Sequence, residues 1–292
     1  MKPQPMNYPN ESPQSIHSLL AIADRYQVFL FDQWGVLHNG QYLYPHVNKT
    51  LRHLAELNKH IIILSNSGKS AAVNCDRLLD MGLDRDLAHH IITSGDVARW
   101  AFECAHTKIN QFIHKKILWL DSTLDTLAGL DKDLSLLTYY QAVVLAGLTD
   151  ELPHEFYEQL MRDIYHHHLP LLCINPDIHR FTPQGIKPSV GFYGQYVKDL
   201  GGKVEFIGKP DALVYQYTLN HYLITDSRQV LMVGDSIHHD ILGASTMNMD
   251  SVLMRSGIHK SLFKDSNSDI EVVSHWQREG LPIPTYMMDQ VQ

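Results

Sequence analysis

The sequence predicts an α/β fold, a doubly wound parallel sheet into which a smaller α/β domain is inserted. Apolar runs of strand length alternate with amphipathic stretches of helix length, the pattern of a parallel sheet covered by helices. Several of those runs end in clusters of Asp, Ser, Asn and Gly, and open α/β sheets carry their ligand sites beyond the carboxyl ends of the strands. The strand–helix series also restarts near Ile117 and resumes at Val204, which marks an insertion.

Val28–Phe31 reads as the first strand. A helix over 46–59 follows, because Val47, Leu51, Leu54 and Leu57 recur at helical spacing. Residues 61–64 form an Ile-rich strand, and 71–79 a helix stopped at Met81-Gly82. Ile91–Thr93 and a helix over 96–104 complete the first block. In the second series Ile117–Leu120, 142–146 and 171–174 are strands, with a helix over 151–166. The first series resumes with a strand over 204–207, a helix over 211–222 and a strand over 229–233, then a helix over 237–247 and a strand over 251–254. The segment 261–292, with Trp276, Pro282 and Pro284, has no chemical signature and is expected to add a short strand and a helix. The resulting domains are 16–94 with 203–292 as the core and 95–202 as the insertion. No repeat of solenoid period is present.

The composition narrows the function classes. A chain of 292 residues, 44% of them hydrophobic, can bury real cores. A net charge of −8 argues against a nucleic-acid partner. No stretch reaches the ~20 apolar residues of a membrane span. Residues 1–15 are polar and proline-rich, without a secretory signal's apolar core, and are expected to be a disordered lead-in. Cys75, Cys104 and Cys173 are widely spaced and form no C-x-x-C pair, which fits a reduced, cytoplasmic protein. The run His166-His167-His168 before Leu169-Pro170 reads as a helix end rather than a metal cluster.

Four polar clusters follow apolar strands. Asp32 opens the turn Asp32-Gln33-Trp34-Gly35-Val36. A carboxylate held there can act as a nucleophile. With the main-chain carbonyl two residues on, it can also face a hard cation such as Mg²⁺. Taken alone, such an Asp is an ordinary turn residue. Ser65-Asn66-Ser67-Gly68-Lys69 offers a hydroxyl and main-chain N–H groups at a helix start, an anion site and a cap at once. In Gly208-Lys209-Pro210 the Lys can pin a phosphate or simply be solvated. Gly234-Asp235-Ser236-Ile237-His238-His239-Asp240 puts two acids across a strand-to-helix turn, as a metal ligand and its partner or as a cap and a surface residue. His238 and His239 are adjacent and point apart on a helix, so neither is assigned to a metal.

The order and spacing of Asp32, Ser65, Lys209 and the Asp235/Asp240 pair resemble the four motifs of the haloacid dehalogenase superfamily, over about residues 29–254. The insertion resembles the type 2 cap of class IIA members, whose Asn-Pro-Asp signature is matched by Asn175-Pro176-Asp177 and one of whose strands is matched by Ala142-Val143-Val144-Leu145. That class includes sugar-phosphate, nucleotide and pyridoxal-phosphate phosphatases. The first motif departs from the family's Asp-x-Asp-Gly-Thr/Val: Trp34 replaces the second Asp, which protonates the leaving group. An indole cannot do that.

The resemblance implies a Mg²⁺-dependent hydrolase of a small phosphorylated metabolite, acting through an aspartyl phosphate. By analogy Asp32 attacks, the Asp32 carboxylate, the Trp34 carbonyl and Asp235 hold Mg²⁺, and Asp240 orients the metal ligands. Ser65, Asn66 and Lys209 would hold the transferring group, with Lys209 taking part in catalysis. Asn175, Asp177 and Arg180 would face the substrate from the cap, although Asn-Pro-Asp also builds a turn. A homodimer through exposed cap surfaces is a further expectation of the class. General acid help is typically worth ~10²–10⁴ in rate, so Trp34 leaves three outcomes. The enzyme acts on good leaving groups; or His38, close in sequence and titrating near neutrality, supplies the proton; or the chain is a catalytically impaired phosphate-binding sensor or scaffold. Carbon-centred dehalogenase-like chemistry is a distant third class, having no evident need for Asp235.

Overall fold

Val28–Phe31, four consecutive apolar residues, are all buried in the interior of a seven-stranded sheet. The computed structural model describes residues 12–122, 130, 133–182, 185–263 and 268–292. Contacts divide the chain into two compact units: Ser65–Asn74 with Ile92–Val214, and the remainder, comprising Met1–Leu64, Cys75–Ile91 and Tyr215–Gln292. The unit of Ser65–Asn74 with Ile92–Val214 thus takes in more of the chain than the segment 95–202.

The sheet order is Gln14–Ser15, Tyr286–Met288, Asp250–Met254, Val230–Gly234, Val28–Phe31, His60–Ser65 and Ile91–Thr93. From Gln14–Ser15 through His60–Ser65 each neighbouring pair is parallel. Phe31 is level with Val233 on one side and Ile63 on the other. After Val28–Phe31 the chain first adds His60–Ser65 on one flank and only later Val230–Gly234 on the other. That reversal is the switch point where open α/β sheets leave a crevice. Strands buried on both faces need continuous apolar sequence, and Ile61 to Leu64 and Val230 to Val233 supply it. The helix Val47–Glu56 buries Val47, Thr50, Leu51 and Leu54, one face at helical spacing.

The smaller unit holds a four-stranded parallel sheet in the order Val204–Phe206, Leu171–Cys173, Ala142–Leu145 and Ile117–Leu120. The helices His154–His166 and Val190–Asp199 pack on it, burying Leu160, Met161, Ile164, Tyr193 and Val197 against Leu118, Val143 and Leu171. Each such side chain contributes about 1.5–3 kcal/mol of hydrophobic burial.

Some sequence expectations are revised. The helix expected from 151 starts at His154, because Thr149 Oγ1 takes the Glu151 N–H at 3.3 Å and Pro153 occupies the N-cap. The segment 237–247 opens with a π-helical turn, Ile237–Ile241, before the α-helix Leu242–Thr246. There the N–H groups of Asp240 and Ile241 both point to Ser236 O, at 3.0 and 3.1 Å. The antiparallel hairpin His179–Thr182 with Gly185–Pro188 and the helix Val190–Asp199 were not expected. Of the lead-in over 1–15, residues 1–11 lie outside the described residues, while Gln14–Ser15 is an ordered edge strand paired with Tyr286 and Met287. The C-terminal segment does add a helix, Ser268–Arg278, and a strand, Tyr286–Met288. His167 caps its helix through an N–H to Asp163 O at 2.9 Å, as the helix-end reading of the His triplet anticipates. Among the described residues no helix is long and apolar enough to cross a membrane.

Candidate active site

Asp32 leaves the first strand with its N–H donated to Val233 O at 2.9 Å, which sets it beside the end of the neighbouring strand Val230–Gly234. The chain then turns tightly. Gln33 O accepts the N–H of Leu37 at 2.8 Å and of His38 at 3.2 Å, and Gly35 donates to His38 O at 3.0 Å. Gly35 has φ +77°, and a Cβ on it would fall 1.9 Å from Asp235 Oδ2. Only glycine satisfies both demands.

Asp235 and Asp240 are both buried. Asp235 Oδ2 accepts the Ile258 N–H at 2.7 Å, and Gly257 lies so close that a Cβ there would sit 2.1 Å from Asp235 Cβ. Asp240 Oδ2 accepts the N–H groups of Asp235 and Ser236, each at 3.1 Å. One carboxylate oxygen from each of Asp32, Asp235 and Asp240 lies within 4.8 Å of the other two. Asp240, expected to act behind the ligands, therefore offers an oxygen on the same terms as Asp32 and Asp235. Three carboxylates this close disfavour one another's charge unless a cation compensates, and an all-oxygen donor set suits a hard divalent ion.

Features with no sequence signal support this cluster. The Ile237 N–H donates to His259 Nε2 at 3.1 Å, and the His259 ring meets Trp276 edge-on with centroids 5.4 Å apart. Burial, and then the charge of His238, hold the His259 imidazole down to about 4, so it accepts that bond in its neutral form. Burial and the Asp235 charge raise the Tyr44 phenol above its ordinary range.

Trp34 is half-buried, with His38 edge-on to it at 5.3 Å between centroids. His38 cannot be the substitute proton donor weighed from the sequence. It is fully buried, its Nδ1 accepts the Gly40 N–H at 3.0 Å, and burial followed by the Arg77 charge holds it down to about 3. An imidazole so held is uncharged near neutral pH, and its remaining ring N–H is far too weak an acid to protonate a leaving oxygen.

The other expected residues lie in the smaller unit. Ser65 is buried, and its Oγ accepts the Ser67 N–H at 3.2 Å. Lys209 is buried as well, at 2% exposure. Asn66, expected among the phosphate-holding groups, spends both ends of its amide within the protein. Its Oδ1 accepts the Lys209 N–H at 2.7 Å, and its Nδ2 donates to Asp177 Oδ1 at 2.7 Å. Asn175 Oδ1 accepts the Asp177 N–H at 2.9 Å, so Asn175-Pro176-Asp177 is a turn whose Asp positions Asn66. Arg180 forms a bidentate pair with Asp150 at 3.1 and 2.6 Å, and Lys187 joins the same carboxylate.

Residues 29–120 match the sequence profile of haloacid dehalogenase-like hydrolases, and residues 206–274 a second profile described as HAD-hydrolase-like. The dihydroxyacetone phosphatase of Corynebacterium glutamicum (strain R) is 31% identical over 88 residues, 30% of this chain and 32% of that protein. The chain thus spans about a third of that relative's length. An acid sugar phosphatase of Staphylococcus epidermidis is 22% identical over 249 residues, 83% of this chain and 91% of its own. The crystal structure of a haloacid dehalogenase-like hydrolase from Brucella suis 1330 superposes with a TM-score of 0.73 at 25% identity, covering 85% of this chain and 92% of that one. The first profile contains the Asp32 strand and the second the Asp235–Asp240 turn, and the fold is shared over most of the chain. Two separate segments of the chain, which carry Asp32 and the Asp235–Asp240 turn, are thus similar to haloacid dehalogenase-like hydrolases.

Proposed function

We propose that the chain is a Mg²⁺-dependent phosphatase of a small phosphorylated metabolite, working through an aspartyl phosphate on Asp32. The observation that carries this reading is the convergence of Asp32, Asp235 and Asp240 oxygens within 4.8 Å at the sheet's switch point. The phosphatase names of the relatives support it. Asp32, Asp235 and Asp240 would hold the ion, with the Trp34 carbonyl as a further oxygen donor. When bound, Mg²⁺ supplies charge neutralisation for a phosphoryl dianion.

In this reading an Asp32 oxygen attacks phosphorus, the bond to the leaving oxygen breaks with its electron pair, and water then cleaves the aspartyl phosphate. Covalent catalysis divides one hard step into two easier ones. The Ile258 N–H fixes Asp235, and two main-chain N–H groups accepted by Asp240 fix its carboxylate, so neither acid must reorganise during the reaction. Ser65 contributes a hydroxyl and Lys209 an ammonium for the phosphoryl group, while Asn66 secures the Lys209 main chain. Residues 16–94 and 203–292 serve as the catalytic core and 95–202 as a type 2 cap, in which Asn175 and Asp177 build the turn that positions Asn66 and Arg180 is held by Asp150. The protein acts as a homodimer in the cytoplasm, a compartment that the free thiols of Cys75, Cys104 and Cys173 suit.

Phosphate release from p-nitrophenyl phosphate, with Mg²⁺ and after chelation, tests the reading. Release that needs Mg²⁺ and disappears in Asp32→Asn is expected; an Asp32→Asn protein with wild-type turnover rules the proposal out. Trp34 favours a second reading, a phosphate-binding sensor or scaffold, and appreciable Mg²⁺-dependent release disposes of it.

A further inference from the structure

The loop after Val28–Phe31 alternates in burial. Gln33 is 2% exposed, whereas Asp32 and Trp34 on either side of it are half-buried. Asp32 and Trp34 are thus the partly open residues of this turn, on either side of the sealed Gln33. The indole is held there by design of its surroundings. Gly40, at φ +97°, passes so close that a Cβ would lie 2.2 Å from the ring. On the indole lies Arg77, its guanidinium carbon 5.6 Å from the ring centroid, with Nη2 donating to Gly40 O at 3.4 Å. Arg77 is exposed, and among the described residues no carboxylate forms an ion pair with it. A guanidinium stacked on an aromatic face keeps its edge N–H groups available to an anion.

The same loop offers little to protonate a leaving oxygen. Trp34 has no ionisable proton, and the His38 ring is sealed, with Nδ1 committed to Gly40. A cation without a carboxylate partner among the described residues thus lies over the partly open Trp34, two residues after Asp32, in a loop where a proton donor is missing. We infer that Arg77, laid over Trp34, is a specificity-determining residue that selects phosphoryl donors whose leaving oxygen departs as an anion: acyl phosphates or phosphoanhydrides rather than alkyl esters. This rests on the phosphatase reading above. The step balances without a proton. The Asp32 oxygen forms the new bond to phosphorus, the bond to the leaving oxygen breaks, and its electron pair leaves on a carboxylate or phosphate that Arg77 receives through charged hydrogen bonds.

The test uses the full-length protein with Mg²⁺. The substrates are acetyl phosphate, inorganic pyrophosphate, glycerol phosphate and a series of aryl phosphates of rising leaving-group pKa. The wild type is expected to favour acetyl phosphate or pyrophosphate over glycerol phosphate by at least ~10²-fold in kcat/KM, the span of missing acid help; the two former substrates tell the two donor types apart. Arg77→Gln is expected to steepen the fall of kcat with leaving-group pKa across the aryl series, and Arg77→Lys to restore part of the wild-type slope. A slope does not depend on the active fraction, so partial misfolding cannot imitate the effect; Arg77→Met provides a second neutral variant. Equal slopes in wild type and both neutral variants, or wild-type preference for glycerol phosphate, overturn the inference and leave the phosphatase reading standing. No Asp32-dependent release from any substrate overturns both.

Discussion

Asp240 caps the main chain of Asp235: its Oδ2 accepts the Asp235 N–H at 3.1 Å, and the Ser236 N–H at the same distance. The two acids are therefore one construction, in which the second holds the loop that presents the first. Removing the carboxylate strands two buried donors, at about 1–3 kcal/mol each. Asp240→Ala is expected to lower stability by that order in urea unfolding. Asp240→Asn retains an acceptor and should fold, while weakening Mg²⁺ binding by ~10–100-fold in calorimetric titration. Unchanged metal affinity in Asp240→Asn contradicts a role beside the ion.

Trp34→Asp places an ionisable group two residues after Asp32, the proposed nucleophile. The expected result is a gain of ~10²–10⁴ in kcat on alkyl phosphates, with little change on p-nitrophenyl phosphate, whose leaving group needs no proton. Substrate-panel kinetics measure both; a uniform change across substrates means that Trp34 acts through packing alone.

Gly40 cannot carry a side chain without disturbing Trp34. Gly40→Ala should cost about 1–3 kcal/mol from the positive φ and the collision with the indole. In a Trp34→Ala background the collision vanishes and only the backbone strain remains, so the same substitution should cost less. Denaturant unfolding of the four proteins reads the difference, and equal costs in both backgrounds exclude the contact as the cause.

His259 gives stability a pH dependence with a definite sign. Its folded pKa, about 4, lies below the unfolded value of 6.5, so the unfolded chain takes up the proton first as pH falls. The contribution is complete above pH 6.5, declines through the window down to about 4 and is gone below it. The whole span is worth about 3 kcal/mol. His238, His239 and Asp240 also act on this ring, the first two lowering its pKa and Asp240 raising it. Unfolding free energies at pH 7 and 4.5 should fall less steeply in His259→Gln than in the wild type; parallel slopes refute the assignment.

The sequence made the strands legible wherever burial on both faces demanded continuous apolar runs, as at Val28–Phe31 and Val230–Gly234. Asp32 and Asp235 were legible for the same reason, since each follows such a run. Gln14–Ser15 was not, because a two-residue exposed edge strand is held by main-chain bonds and carries no apolar pattern. The function of Asn66 was also hidden. Its partners Asp177 and Lys209 lie 111 and 143 residues away, and such pairings leave no local trace. His38 misled because closeness in sequence to Asp32 says nothing about solvent access.

The outermost pair of the large sheet joins Gln14–Ser15 to Tyr286–Met288, residues from opposite ends of the chain. A ribosome must therefore have released residues near 288 before that edge can close, whereas every residue of the smaller unit lies between 65 and 214. Synthesis proceeds at about 5–20 residues per second, so the smaller unit has several seconds to fold while its host still lacks strands. The nascent chain spends that interval with Val28–Phe31 still lacking its neighbour Val230–Gly234.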